Sequence, residues 1–240
     1  MSGILITGAS RGVGKALAVA CAASGLWPRI IITARKDASA LSDTVSAVRE
    51  AGCPLCIPVL GDVGDYAFVQ NLRRDFGPVD ALVNNAGISW VGLLTDMTPE
   101  EWDRVIRVNL TGVFNTCRVF APDMVRAGGG KILNVSSVWG LAGASCEVAY
   151  SASKGGVNAF TRALAKELAP SHVQVNAAAL GIVDTDMNAH LSEAEKAEIR
   201  NQIPAGYIVS PQEAAEGLLK LLTMPEYVNG EIVRMDGCWL

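Results

Sequence analysis

Seven short apolar runs recur along the 240-residue chain and alternate with longer stretches of helical period. The runs are 3–7, 29–33, 55–60, 80–84, 131–136, 173–179 and 231–235. Most are apolar on both faces, which is typical of strands buried in a parallel sheet, and such strands are joined by right-handed helical crossovers. The helical stretches lie near 13–24, 39–51, 66–76, 99–127, 149–169 and 211–223. The alternation predicts a single doubly wound α/β domain over residues 1–240.

Composition argues against several classes of partner. Half of the residues are apolar and 18% are charged, so the chain can bury a large core. The formal net charge is -4, whereas nucleic acid or an anionic membrane would require a basic surface. No run approaches the ~20 apolar residues that span a bilayer, and no basic leader precedes the first strand. We expect a cytoplasmic protein that binds neither nucleic acid nor membrane.

The six cysteines are scattered and do not form the dense framework of a small secreted domain, so free thiols are expected. Cys53 and Cys56 have C-x-x-C spacing, but no second pair of Cys or His ligands accompanies them. They precede an apolar run, which indicates a loop leading into a strand. No metal site is predicted.

The interval 184–210 is the longest without a strand, and it contains a polar short helix around 192–201. It follows the sixth strand. Ligands of open α/β sheets bind beyond the carboxyl ends of the strands, so this excursion is a candidate substrate lid. The alternative is an ordinary surface insertion.

A glycine-rich stretch, "TGASRGVG", follows the first strand and leads into a helix. Gly8, Gly12 and Gly14 let the backbone turn sharply and approach a ligand closely. Free N–H groups and the helix dipole at this junction attract phosphate. The spacing, G-x-x-x-G-x-G, taken alone could mark only a tight turn. At the first strand–helix junction of an alternating chain it indicates a dinucleotide site.

The end of the second strand discriminates between two dinucleotides. NAD-binding folds carry an acidic residue there for the ribose hydroxyls, but this strand ends in Arg35 and Lys36. The guanidinium of Arg35, assisted by Lys36 or Arg11, could bind a 2'-phosphate, so NADP is favoured. If the strand ends later, Asp37 would lie near the ribose instead.

Tyr150 and Lys154 are four positions apart, so on a helix they share a face. A neighbouring ammonium favours the phenolate and would lower the tyrosine pKa toward a range useful for acid–base chemistry. Alone, this spacing more often means a core tyrosine beside a solvated lysine. Ser137, however, ends the fifth strand at the same sheet edge as the nucleotide. Asn109 is a polar group in an apolar helical stripe and could hold a buried water.

These residues, with "NNAG" and "NGEIVRMDG", make the chain resemble the short-chain dehydrogenase/reductase family over nearly its whole length. The resemblance implies a seven-stranded Rossmann sheet of order 3-2-1-4-5-6-7 and an NADP(H)-dependent oxidoreductase. It also implies that Tyr150 is the general acid/base and that Lys154 lowers its pKa and binds the nicotinamide ribose. Ser137 would orient the carbonyl, and Asn109 would hold a proton-relay water.

The resemblance further implies which residues contact the cofactor. They are Gly8, Ser10, Arg11, Gly12, Val13, Gly14, Arg35, Lys36, Asp62, Val63, Asn85, Ala86, Gly87, Tyr150, Lys154, Ile182 and Thr185. Asp62 would contact adenine, Asn85 and Gly87 would line the adenosine side, and Thr185 would contact the carboxamide. The chain departs from the family pattern at two positions, with Leu180 for the usual proline and Cys238 for the usual second glycine.

The substrate is expected to be apolar or acyl, since several large side chains fall on segments that border the site. They are Trp90, Trp139, Leu141, Met187, Ile203 and Tyr207. Each could equally be a packing or subunit-interface residue. Within the family, the chain most resembles bacterial 3-oxoacyl-acyl-carrier-protein reductases and their paralogues. A 3-oxoacyl thioester is therefore the expected ketone.

Two alternatives stay open. One paralogue group reduces the 5-aminopentanone modification of elongation factor P, and Glu147 could bind such a cationic substrate or merely complement the helix terminus. A protein that binds NADP only as a sensor or scaffold would be expected to have lost Tyr150 or Lys154. The family is commonly tetrameric, so a homotetramer or homodimer is expected.

Overall fold

A computed structural model describes residues 3–189 and 191–240. The strands form one parallel sheet in the order β3-β2-β1-β4-β5-β6-β7, which confirms the predicted topology. They are β1 (Ile4–Ile6), β2 (Arg29–Ala34), β3 (Leu55–Leu60), β4 (Ala81–Asn84), β5 (Gly130–Ser137), β6 (Val173–Leu180) and β7 (Ile232–Met235). The strand order reverses between β1 and β4, and this switch point is where ligands of open α/β sheets bind.

Helices cover both faces of the sheet. They are α1 (Gly12–Ser24), α2 (Ala38–Glu50), α3 (Tyr66–Phe76), α4 (Pro99–Ile106), α5 (Gly112–Ala127), α6 (Trp139–Ala142), α7 (Val148–Leu168), α8 (Glu193–Gln202) and α9 (Pro211–Leu222). Side chains of a strand alternate between its faces. In β1, Ile4 and Ile6 pack in one core cluster with α1, α2 and α9, whereas Leu5 packs in the other with α3, α5 and α7.

The predicted helix 99–127 is interrupted. It begins at a capping box. The Thr98 hydroxyl accepts from the Glu101 backbone N–H at 3.2 Å, and the Glu101 carboxylate accepts from the Thr98 backbone N–H at 2.9 Å. After α4, a π-helical segment (Arg107–Thr111) precedes α5. Such segments often occur at functional sites, and Asn109 lies in the middle of this one.

The excursion after β6 returns close to where it leaves. Val183 and Val209 form an isolated parallel bridge, and the Asp184 N–H donates to the carbonyl of Val209 at 3.0 Å. Between them lie a 3-10 turn (Asp186–Asn188) and α8, which matches the predicted short helix. The base of the excursion is therefore tied together, and its role as a lid stays a prediction.

All six cysteines lie in the described part of the chain and are free thiols, as expected. Cys53 is in a loop and Cys56 is in β3, also as expected. No cluster of three or more potential metal ligands occurs among residues 3–189 and 191–240. Within the same residues, no helix is both long and apolar enough to cross a bilayer.

Candidate active site

A cavity of about 900 Å³ opens at the carboxyl edge of the sheet. All of the predicted catalytic and cofactor residues line it except Lys36 and Asn109. Glu147 and the large side chains predicted for the substrate also line it, except Leu141, Ile203 and Tyr207. Ile203 is 5% exposed and belongs to the core. Leu141 and Tyr207 are exposed outside the cavity. The cavity lining therefore does not support a substrate contact for these three side chains.

The glycine loop is packed against the end of β4. A Cβ atom at Gly14 would lie 2.4 Å from the Gly8 carbonyl oxygen, and one at Gly8, which has φ +67°, would lie 2.7 Å from Ala86 Cα. The Asn85 side-chain amide donates to the carbonyls of Thr7 at 3.0 Å and Gly8 at 2.9 Å. Asn85 therefore braces the loop, and only glycine fits at the two packed positions.

The first turn of α1, from Gly12 to Gly14, lines this cavity. Its N-cap residue, Arg11, makes no side-chain capping bond. Uncapped N–H groups at a helix N terminus, with backbone that can be approached closely, suit a pyrophosphate. The loop thus fits the dinucleotide for which the sequence predicted it.

The other end of the cavity carries Arg35, which directly follows β2 and is exposed. Lys36 is also exposed but does not line the cavity, so its predicted assistance at a 2'-phosphate is not supported by its position. Asp37 caps α2 by accepting from the Ala40 N–H at 3.0 Å. Because β2 ends at Ala34, the alternative role of Asp37 at the ribose is not supported either.

The guanidinium of Arg11 is engaged in two ion pairs in this structure. It pairs with Asp37 at 2.8 Å and with Asp186 at 3.4 Å. These exposed pairs tie the glycine loop to α2 and to the excursion after β6. Exposed ion pairs contribute little to stability, so a stronger anionic partner could replace them.

Asp62, Thr185 and Gly87, which were also predicted for the cofactor, line the same cavity. Asp62 accepts from the Gly64 N–H at 2.8 Å and pairs with Arg107 at 3.2 Å. Thr185 approaches the glycine loop, since a Cβ atom at Gly12 would lie 3.3 Å from its Cγ2. Gly87 lies beside Lys154 and Asn109, on the side of the cavity that holds the acid–base residues.

Tyr150 and Lys154 enter the cavity from the first turns of α7, as the four-residue spacing predicts. The Lys154 ammonium lies 5.6 Å from the centre of the Tyr150 ring and donates to the Val135 carbonyl at 2.7 Å. Ser137, at the end of β5, forms a side-chain hydrogen bond with Tyr150. The Ser137 oxygen also accepts from the Trp139 N–H at 3.2 Å. The three side chains are therefore held together by two adjacent elements.

Burial governs the charge states of this pair. It raises the pKa of Tyr150 to about 12; the bond from Ser137 acts in the opposite direction, and the charge of Glu147 raises the pKa further. Burial also lowers the pKa of Lys154 to about 8. Desolvation of the phenolate is the largest influence on the Tyr150 pKa, so the direction is upward and not the lowering expected from Lys154.

Asn109 is 1% exposed and lies behind the cavity wall. Its side-chain oxygen accepts from the Ile88 N–H at 2.9 Å, and its amide donates to the Ile88 carbonyl at 2.9 Å and to Ser153 Oγ at 3.0 Å. Both amide protons are thus used within the protein. Asn109 fixes the segment after β4 against α7.

The side chains predicted for the substrate, Trp90, Trp139, Glu147 and Met187, all line the cavity. Sequence reasoning missed Trp239, which also lines it and packs on Trp139. The position of Trp239 shortly after the last strand was the available signal, because all carboxyl ends of a parallel sheet meet at one edge. Glu101 and Arg104 of α4 line the cavity as well and were not predicted.

The protein-family model for short chain dehydrogenase matches residues 2–196. The chain belongs to the short-chain dehydrogenase family. It is therefore an oxidoreductase that uses a nicotinamide dinucleotide, and the fold, the glycine loop and the Tyr150–Lys154 pair agree with that assignment.

Individual members of the family resemble the chain over nearly its full length. It is 37% identical to the "uncharacterized oxidoreductase YmfI" of Bacillus subtilis, over 98% of this chain and 97% of that one. It is 36% identical to the 3-oxoacyl-[acyl-carrier-protein] reductase FabG of Aquifex aeolicus, over 97% and 95%. A solved structure of a putative 2-deoxy-D-gluconate 3-dehydrogenase from Agrobacterium tumefaciens, with bound NADP, superposes with a TM-score of 0.90 at 31% identity, over 99% and 96%.

Proposed function

We propose that the protein is an NADP(H)-dependent carbonyl reductase that acts on a 3-oxoacyl thioester. The observation that carries the proposal is the convergence of Ser137, Tyr150 and Lys154 on the cavity that also contains the glycine loop. Reduction of a ketone requires a hydride donor, a proton donor and a group that holds the carbonyl oxygen. The cavity provides a place for the first and side chains for the other two.

The protonation states of the side chains indicate a separate role for each of them. NADPH, when bound, would supply hydride to the carbonyl carbon. Tyr150, with a pKa of about 12, is a phenol at neutral pH and can donate its proton to the carbonyl oxygen. Ser137 hydrogen-bonds the same oxygen and orients it. Lys154 is protonated below its pKa of about 8, so its charge stabilises the phenolate that remains.

Asn109 and Lys154 are proposed to complete the proton path. Lys154 would also bind the nicotinamide ribose, and a water held near Asn109 would return a proton to Tyr150. The π-helical segment around Asn109 supports this role, because π segments leave backbone carbonyls outside the regular α-helical ladder.

NADP is proposed over NAD because Arg35 presents a planar cationic fork at the adenosine end of the cavity. The solved relative with bound NADP is in line with this preference. The thioester substrate is supported by the family relative named as a 3-oxoacyl reductase and by the apolar rings of Trp90 and Trp139 in the cavity.

One observation favours a second candidate, a ketone that carries an ammonium group, such as the 5-aminopentanone modification of elongation factor P. Glu147 lines the cavity at the N terminus of α7, and its charge acts on Tyr150. A carboxylate in the same cavity as the acid–base residue could bind a cationic substrate.

The experiment compares NADPH consumption with an acetoacetyl thioester and with elongation factor P that carries the aminopentanone group. Wild-type protein, Glu147→Gln and the control Glu100→Gln, an exposed change on α4, are assayed with both. Turnover of the thioester that survives Glu147→Gln supports the first candidate. Selective turnover of the cationic ketone, lost in Glu147→Gln alone, supports the second. NADPH binding without turnover of any ketone would leave only a sensor or scaffold.

We also propose a cytoplasmic homotetramer or homodimer. Free thiols in all six cysteines suit a reducing compartment. Phe114 and Val125 of α5 and Val148 of α7 are 49%, 39% and 41% exposed, and exposed apolar side chains on neighbouring helices suit a subunit interface. Light scattering after size-exclusion chromatography measures the oligomeric state, and Phe114→Glu should lower it.

A further inference from the structure

The segment Asp236–Leu240 follows β7 and brings Trp239 into the cavity wall. The Trp239 ring lies 5.1 Å from the Trp139 ring at an angle of 59°, which is a favourable arrangement for an aromatic pair. Trp139 is only two residues beyond Ser137, and its N–H donates to the Ser137 hydroxyl oxygen. The ring pair therefore begins beside the group that is proposed to hold the carbonyl.

Asp236 fixes the direction in which Trp239 projects. Its side chain is 3% exposed and accepts from the N–H groups of Cys238 at 3.0 Å and Leu240 at 3.1 Å. The N–H of Trp239 donates to the Asp236 carbonyl at 3.2 Å, and Arg234 lies 3.5 Å from the carboxylate. A buried carboxylate with two backbone donors and a cation is strongly held. The turn is thus an ordered part of the wall.

Glycines show how tightly this turn is enclosed. A Cβ atom at Gly181 would lie 2.9 Å from both Cα and Cβ of Asp236. One at Gly237, which has φ +64°, would lie 2.8 Å from Ile203 Cγ2. The backbone of the turn therefore packs against the end of β6 at Gly181 and against Ile203 of the excursion that follows β6.

We propose that Trp239, paired with Trp139, is a specificity-determining residue that binds the acyl chain of the ketone substrate, and that Asp236 is its positioning residue. This inference rests on the proposed carbonyl reductase function and narrows the substrate to ketones with an apolar chain of several carbons. Each methylene group buried against the rings raises affinity about fourfold, so a four-carbon extension is strongly favoured.

Turnover of acetoacetyl and 3-oxooctanoyl thioesters of the same small thiol tests the proposal. In Trp239→Ala, KM for the longer ketone should rise at least about tenfold, with kcat and both constants for the acetoacetyl thioester within about twofold. For Trp239→Phe, KM for the longer ketone should lie between the values for wild type and Trp239→Ala. Asp236→Ala should show the same dependence of KM on chain length as Trp239→Ala. Trp102→Phe, an indole change outside the cavity, should resemble wild type.

Calorimetric binding of 3-hydroxybutanoyl and 3-hydroxyoctanoyl thioesters separates this inference from the proposed function. If wild-type protein reduces neither ketone, the proposed function fails, and the binding preference still decides the role of Trp239. Loss of the chain-length preference in Trp239→Ala supports the inference. The inference is overturned if Trp239→Ala weakens the binding of both ligands equally, if it lowers kcat for both ketones, or if it changes neither binding nor turnover. Trp239→Phe gives the same comparison if Trp239→Ala does not fold.

Discussion

Lys154 carries its charge at a position that destabilises the folded chain. It is 4% exposed, and burial lowers the pKa of its ammonium from 10.5 to about 8. At about 1.4 kcal/mol per pKa unit, keeping it charged costs about 3 kcal/mol. Below about pH 8 the folded and unfolded states both bind the proton, and the cost is complete. Between about pH 8 and 10.5 only the unfolded state binds it, so the cost shrinks and then vanishes.

Lys154→Met should therefore stabilise the cofactor-free protein at neutral pH. The change removes the charge and keeps an apolar stem, but it also removes the 2.7 Å bond to the Val135 carbonyl, which is worth about 1 kcal/mol. The net gain near neutral pH is about 2 kcal/mol. For a chain of this length, that raises Tm by about 4 to 8 °C.

Thermal unfolding by circular dichroism, from about pH 7 to pH 10.5, measures this gain against wild type. Lys166→Met is the matched control, because Lys166 is exposed on the same helix and should leave Tm unchanged. The gain in Lys154→Met should fall as pH rises, while turnover is lost at every pH. A lower Tm near neutral pH, or a difference that does not depend on pH, would refute the reasoning.

Three further variants test other parts of the site. Tyr150→Phe should lower kcat about 100- to 10,000-fold in steady-state assays, with NADPH affinity by fluorescence titration nearly unchanged; a retained kcat would exclude Tyr150 as the proton donor. Arg35→Ala should weaken NADPH about tenfold and NADH little, and equal weakening would contradict a 2'-phosphate contact. Gly14→Ala should lose about 1 to 3 kcal/mol of stability, because its methyl group meets the Gly8 carbonyl. Gly155→Ala, whose methyl group would lie 3.5 Å from the Gly140 carbonyl oxygen, should lose no stability, because alanine favours a helix interior.

Local patterns were enough to predict the doubly wound α/β class and to bring the centre of the site together, whereas the strand order was implied by the family resemblance. Buried strands and helices alternate with distinct periods, and a parallel sheet brings the ends of its strands to one edge. This is why the glycine loop, Ser137 and the Tyr150–Lys154 pair could be placed together before any coordinates. The helix that carries Asn109 was also predicted, but its π segment was not, because one additional residue leaves the apolar pattern almost unchanged.

The features that could not be predicted are contacts between segments that are distant in sequence. Arg11 lines the cavity as expected, but its ion pairs with Asp37 and Asp186, which come from two other loops, were not predicted. Trp239 reaches Trp139 across the sheet edge, and no local period records that contact. The direction of the Tyr150 pKa depends on the depth of burial, which a four-residue spacing does not contain.

The π segment Arg107–Thr111 joins α4 and α5, which pack in different environments. Ahead of it, Glu101, Arg104 and Val105 line the cavity, whereas beyond it Phe120 and Met124 pack in the core. A π turn holds one residue more than an α turn, so the two faces need not follow one continuous register. The cavity-facing side of α4 can therefore be substituted with little effect on the core packing of α5.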